Sequence, residues 1–191
     1  MQETRAVPPR SVVLVEGVSD RVAVEALAVR RGRDLAAERV AVVPIGGAQA
    51  IGRFLERFGP PGEDARLAGL CDLGEEADFR RGLERAGLGA RLTREGMERL
   101  GFYVCVVDLE DELIRALGHA AVERVLESEG DLRSFRTLQK QAAWQGRAPE
   151  EQLRRFMGSG GRRKIRYARL LVEALDPDRV PRPLDRLLAH V

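Results

Sequence analysis

Residues 11–20 read "SVVLVEGVSD". Four aliphatic residues, Val12 to Val15, lead into Glu16, then Gly17, then Asp20 one helical turn beyond the glutamate. A short apolar run bounded by polar residues is the pattern of a strand buried on both faces. The stretch that follows, "DRVAVEALAVRRG" (20–32), spaces its apolar residues as a helix does and stops at Gly32. An acid at the end of a buried strand and a second acid on the next helical turn set the question of what they hold.

The same pairing recurs. "RVAVVPIGG" (39–47) predicts a second strand and "AQAIGRFLERFG" (48–59) a second helix. "ARLAGLCD" (65–72) and "EEADFRRGLERAGL" (75–88) predict a third pair, "GFYVCVVD" (101–108) and "LEDELIRALG" (109–118) a fourth. Strand–helix alternation predicts a parallel sheet with helices on both faces. Right-handed crossovers bring the carboxyl ends of such strands to one edge, where ligands bind. Beyond residue 118 the strand signal stops. Helices are expected over 119–130, 131–146, 149–161 and 162–176, and a short apolar helix ends a tail with three prolines. The expected organisation is a lead-in at 1–10, an α/β domain at 11–118 with about four parallel strands and flanking helices, and a C-terminal helical basic extension at 119–191.

Apolar residues make up 44% of the 191, enough for a core, and aromatics only 5%, so aliphatic packing must fill it. No apolar window is long enough for a membrane span. The N-terminal "MQETRAVPPR" lacks an apolar signal core, which points to a cytoplasmic protein. Cys71 and Cys105 sit in or beside apolar runs and read as buried free thiols of a reducing compartment. The two cysteines and two histidines lack the spacing of a zinc site.

Three of the four predicted strands end in carboxylates: Glu16, Asp72 and Asp108. Glu75 and Glu76 follow Asp72, and Glu110, Asp111 and Glu112 follow Asp108. Crowded carboxylates repel, and burial raises that cost. A hard divalent cation, taking oxygen ligands, is the usual compensation. Glu16, pointing off the strand end, and Asp20, returning to the rim after a tight turn permitted by Gly17, could hold Mg²⁺ or Mn²⁺. The alternatives are that Asp20 favours a helix N-terminus and Asp108 caps one. "GVSDRVA" is not the G-x-G-x-x-G of a dinucleotide fold. "IGGAQAI" could offer backbone N–H groups to a phosphate, or be a plain turn. "GSGGRRK" fails the phosphate-loop pattern, since Arg163 precedes Lys164 and Ile165 follows it.

Charge is uneven. From Asp72 to Glu112 there are eleven acids and six bases; from Asp131 to Arg169 there are eleven bases and three acids. An acidic rim beside a basic helical extension suits a phosphodiester polymer, although arginine-rich helices can also be solvated faces. Trp144, the single tryptophan, lies in the basic stretch, where it could stack on a base or anchor packing.

"VLVEGVSDRVAVEAL" resembles the opening motif of the Toprim domain of topoisomerases, bacterial primases and several nucleases. "VPIGGAQAI" resembles that domain's second-strand segment, and "LAGLCDLGEE" falls where it carries a D-x-D pair. "VCVVDLEDEL" and "GRRKIRYARLLVEAL" resemble the later acidic motif and the lysine-bearing helix of OLD-family (overcoming lysogenization defect) nucleases. The resemblance implies a Toprim-like sheet and a Mg²⁺- or Mn²⁺-dependent phosphodiesterase acting on DNA. It implies metal positions at Glu16, Asp20, Asp72 and Glu110, with Glu16 and Lys164 carrying catalysis. Gly74 stands where the second aspartate of D-x-D belongs; Glu76, or Glu75, is the expected substitute ligand. Arg154, Arg155, Arg162, Arg163 and Arg166 are expected to contact the nucleic-acid backbone. The expected partners are DNA, with RNA as the alternative substrate, a separate ATPase chain, a second copy in a homodimer, and no membrane. The rival readings are a non-catalytic module that binds nucleic acid or docks on an ATPase, and a stand-alone Toprim nuclease that processes RNA.

Overall fold

A computed structural model of the chain describes residues 8–191; most of the expected lead-in, residues 1–7, lies outside the described residues. Four strands form one sheet: β1 (Ser11–Val15), β2 (Val40–Pro44), β3 (Arg66–Cys71) and β4 (Phe102–Val104). Their order is β2-β1-β3-β4, and every neighbouring pair is parallel. The fold class is therefore α/β, as the alternation predicts.

β1 is central and buried along its whole length. Successive strand side chains point to opposite faces, and two cores result. Val13 and Val15 join one cluster with Ala23, Val24 and Leu27 of α1 (Val18–Arg30); Val12 and Leu14 join the other with Ile51 and Leu55 of α2 (Ile51–Phe58) and Phe79 and Leu83 of α3 (Glu76–Arg85). A strand wedged between helix layers has no polar face, which is why its sequence reads as an unbroken aliphatic run. Gly69 of β3 allows the close contact of this second core: a Cβ there would lie 2.6 Å from the Phe102 ring and 2.9 Å from the Leu14 carbonyl oxygen.

Differences from the sequence expectation are local. A short helix, α4 (Arg94–Arg99), stands where none was predicted; the Thr93 side chain caps it by accepting from the Gly96 N–H at 3.1 Å. β4 stops at Val104 rather than running to residue 108. Beyond Cys71 its partner β3 turns into a 3₁₀ segment, Leu73–Glu75, so the regular ladder gives way to single bonds, Cys105 N–H to the Cys71 carbonyl at 2.9 Å and Leu73 N–H to the Val107 carbonyl at 3.1 Å, and Val106 and Val107 emerge 54% and 36% exposed. Asp108 thus ends no strand. It caps α5 (Leu109–Leu117), accepting from the Asp111 N–H at 2.8 Å.

The remaining helices are α6 (His119–Ser128), α7 (Leu132–Gln139), α8 (Pro149–Met157), α9 (Gly161–Ala174) and α10 (Arg182–His190). The helix expected over 131–146 ends at Gln139; the next residues form a turn in which side-chain amides take the carbonyls, Gln145 at Lys140 and Gln152 at Trp144. Tyr167, Leu171 and Val172 of α9, and Leu184 and Leu187 of α10, belong to the same core cluster as Val13, Val15 and α1. Residues 119–191 therefore extend the core on one face of the sheet, α10 against β3 and β4 and α9 against α1. Cys71 and Cys105 are buried free thiols. Among the described residues no helix is long and apolar enough to cross a membrane.

Candidate functional site

From β1 the chain passes to β2 on one side, and β3 lies on the other. In an open α/β sheet the crevice at such a reversal, outside the carboxyl ends of the strands, is the usual ligand position. Val15 pairs with Leu70, so Glu16 and Asp72 leave adjacent strands side by side. The Asp72 N–H donates to Glu16 Oε1 at 2.9 Å. Asp20 sits on the first turn of α1, where its Oδ2 accepts from the Gly17 N–H at 2.8 Å. The capping alternative for Asp20 is therefore real, and it holds that carboxylate on the rim. Gly17 itself has extended backbone, φ −138°, that any residue adopts, so the tight turn assigned to it from the sequence is not its role. The left-handed glycines of this edge are Gly46 and Gly47, φ 76° and 114°. The Gly46 N–H is engaged by the Glu16 carbonyl at 3.0 Å, so this turn extends the β1–β2 pairing and that N–H does not face a ligand.

Two more groups arrive from the helices. Glu110, on the first turn of α5, is 6% exposed. Lys164 of α9 brings its Nζ to 3.3 Å from Glu110 Oε1, close enough for charge attraction but outside hydrogen-bonding geometry, so that buried oxygen has no hydrogen-bond partner. Burial raises the Glu16, Asp20 and Glu110 carboxyls, and their like-charged neighbours add to it. Asp72 is pushed furthest, to about 8, by burial first and then by Glu16, Asp20, Asp108 and Glu110. Burial alone would lower Lys164, but Glu110, Asp20 and Asp72 outweigh it and raise the ammonium. Among the described residues no arginine pairs with Glu16, Asp20 or Asp72.

The other expected residues are placed differently. Glu76 is held in ion pairs with Arg94 and, at 3.8 Å, Arg80, away from this group; Glu75 is the acid whose charge reaches Glu16. Gly74 faces open space. Arg154, paired with Asp108 at 2.5 Å, and Arg155 line a cleft of about 480 Å³ with Glu110 and Lys164. Arg163 folds over the Phe156 ring at 4.3 Å and donates to Ser159 Oγ, a packing role. Arg166 pairs with Asp131 and Glu129, and with Arg162 lines a separate groove beside Val22. Two cleft residues, Arg147 and Glu151, were not singled out from the sequence; their i,i+4 spacing was the one available signal.

The donor set suits a hard divalent cation: every donor is an oxygen, one buried oxygen has no hydrogen-bond partner, and one carboxyl is driven towards neutrality by burial and then by its neighbours. Among the described residues no three His, Cys, Asp or Glu side chains already enclose a common cation position. Glu16 and Asp20 are each turned onto a backbone N–H instead.

A parallel four-stranded sheet with helices on both faces and acids at its switch point is the class of protein this structure defines. Residues 10–60 match the family described as "Overcoming lysogenization defect protein-like, TOPRIM domain". The C-terminal region of the Xanthomonas campestris pv. campestris OLD protein is similar over 96% of this chain and 92% of its own, with TM-score 0.75 and 24% identity. That of the Burkholderia pseudomallei OLD protein is similar over 95% and 96%, with TM-score 0.72 and 21% identity. No curated protein sequence matches the chain. Residues 10–60 thus match an OLD-type Toprim model, in a chain with the fold of the C-terminal region of OLD proteins. The matched segment contains Glu16 and Asp20 but not Asp72, Glu110 or Lys164.

Proposed function

We propose that the chain is a Mg²⁺- or Mn²⁺-dependent phosphodiesterase acting on DNA. The observation that carries this reading is the convergence of Glu16, Asp20, Asp72 and Glu110, from four separate segments, on one edge without an arginine for the first three. Glu16, Asp20, Asp72 and Glu110 would hold the ion, exchanging the backbone bonds of the first two for it. When bound, such an ion supplies positive charge for the attacking and leaving oxygens of a phosphoryl displacement. Lys164, half-exposed and loosely held by Glu110, can donate to a phosphate oxygen and stabilise the charge that develops there. Asp108, by pairing with Arg154, holds a guanidinium beside the same edge, where it can position a strand without reading its sequence.

Purified protein with Mg²⁺ or Mn²⁺ is expected to nick plasmid DNA. Glu16→Ala should abolish nicking, and Lys164→Ala should slow it about 10²–10³-fold, the usual cost of one charge-stabilising donor. Equal nicking by Glu16→Ala defeats the reading. One observation favours a second reading, a non-catalytic module: position 74 carries no carboxylate, and no three-ligand cation position stands ready. Calorimetry with Mn²⁺ separates the two, since the module predicts no binding heat.

A further inference from the structure

We propose that the cleft beside the acidic edge is a stacking subsite for one unpaired nucleotide next to the scissile phosphate, with Trp144 as its platform; this deepens and rests on the phosphodiesterase reading. Trp144 joins neither of the two core clusters and remains partly exposed, although it is the chain's only tryptophan. It lines the same cleft as Glu110 and Lys164. At about 480 Å³ the cleft falls within the range of roughly 300–1,000 Å³ that holds small ligands.

The backbone that carries the indole is held in place. Gln152 of α8, buried, donates to the Trp144 carbonyl at 2.7 Å and accepts from the Gln139 side chain of α7 at 2.7 Å. A buried glutamine spent on a surface turn fixes that turn against two helices. Arg155 lies over the indole, 6.0 Å from its centroid, and has no carboxylate partner among the described residues. Arg147 is only loosely tied, 3.8 Å from Glu151, with both side chains more than half exposed. An indole with one guanidinium over it and a second, that of Arg147, lining the same cleft matches a base with phosphate on either side. A base in the interior of a duplex has both faces stacked already and only the end pairs offer one, so the partner the cleft fits is a strand with an unpaired residue.

Trp144 fluorescence reports this cleft alone. A short single-stranded oligonucleotide is titrated in EDTA, with a blunt duplex of the same sequence as control, and anisotropy of the labelled strands follows binding in parallel. Saturable quenching by the single strand, and none by the duplex, is expected. Trp144→Ala should weaken single-strand affinity about 5- to 150-fold, the worth of one base–aromatic stack, and Trp144→Phe should keep most of it. Unchanged emission while anisotropy rises, equal quenching by duplex, equal affinity of Trp144→Ala, or no single-strand binding overturns the proposal. Quenching without metal-dependent nicking leaves the subsite and removes the phosphodiesterase; nicking without quenching does the reverse.

Discussion

Asp72→Asn tests the electrostatic core of the site. In the folded protein without a cation this carboxyl titrates near 8, against an ordinary value of 3.8. Between those values the folded chain keeps a proton that the unfolded chain has released. Stability through this group is therefore full below about pH 4 and declines as pH rises towards 8. Each pH unit is worth about 1.4 kcal/mol, so the loss between about pH 4 and pH 7 is at most about 4 kcal/mol. Solvent at the rim screens part of it, leaving roughly 2–4 kcal/mol. Asparagine keeps the shape and removes the titration. In EDTA, Asp72→Asn and the parent should melt alike near pH 4. Near pH 8 the variant should melt higher by about 5–15 °C, at roughly 2–4 °C per kcal/mol for a chain of this size. Glu16, Asp20 and Glu110, also raised, leave a residual decline in the variant. Mn²⁺ should reverse the order, stabilising the parent most at high pH and the variant little. Thermal denaturation at the two pH values, with EDTA and with Mn²⁺, is the assay. A parent whose stability in EDTA is flat or rises from pH 5 to 8 refutes the reasoning.

Gly74→Asp restores an acid at an open position whose backbone is not left-handed. It should tighten Mn²⁺ binding measured by calorimetry, with no loss of melting temperature when Mn²⁺ is present. Gly69→Ala would set a methyl 2.6 Å from the Phe102 ring and 2.9 Å from the Leu14 carbonyl oxygen. Overpacking of this kind costs about 1–3 kcal/mol in urea denaturation.

Much of the fold was legible because the signals are local. The aliphatic runs of β1 and β3, the apolar spacing of α1, and the glycines after β2 each carry a period or a turn that nearby residues settle. The run at 101–108 misled because apolar character shows that residues avoid water, not that a neighbouring strand is there to pair with them. β3 ends at Cys71, so Val106 and Val107 meet a 3₁₀ segment, with one backbone bond from Leu73 to Val107, rather than a regular ladder. α4 escaped notice because six residues interrupted by Gly96 hold too little periodicity.

The sequence by itself determined that strand–helix units alternate and that Glu16 and Asp72 close two of the strands, since both follow from the order of residues along the chain. The tertiary structure alone decided that β1 and β3 are neighbours, that Glu76 turns to Arg94 while Glu110 turns inward, and that Lys164 and Trp144 reach the same cleft. The physical reason is that these meetings join residues far apart in the chain. Their closeness is set by how helices pack over the sheet, and no local spacing of amino acids encodes it.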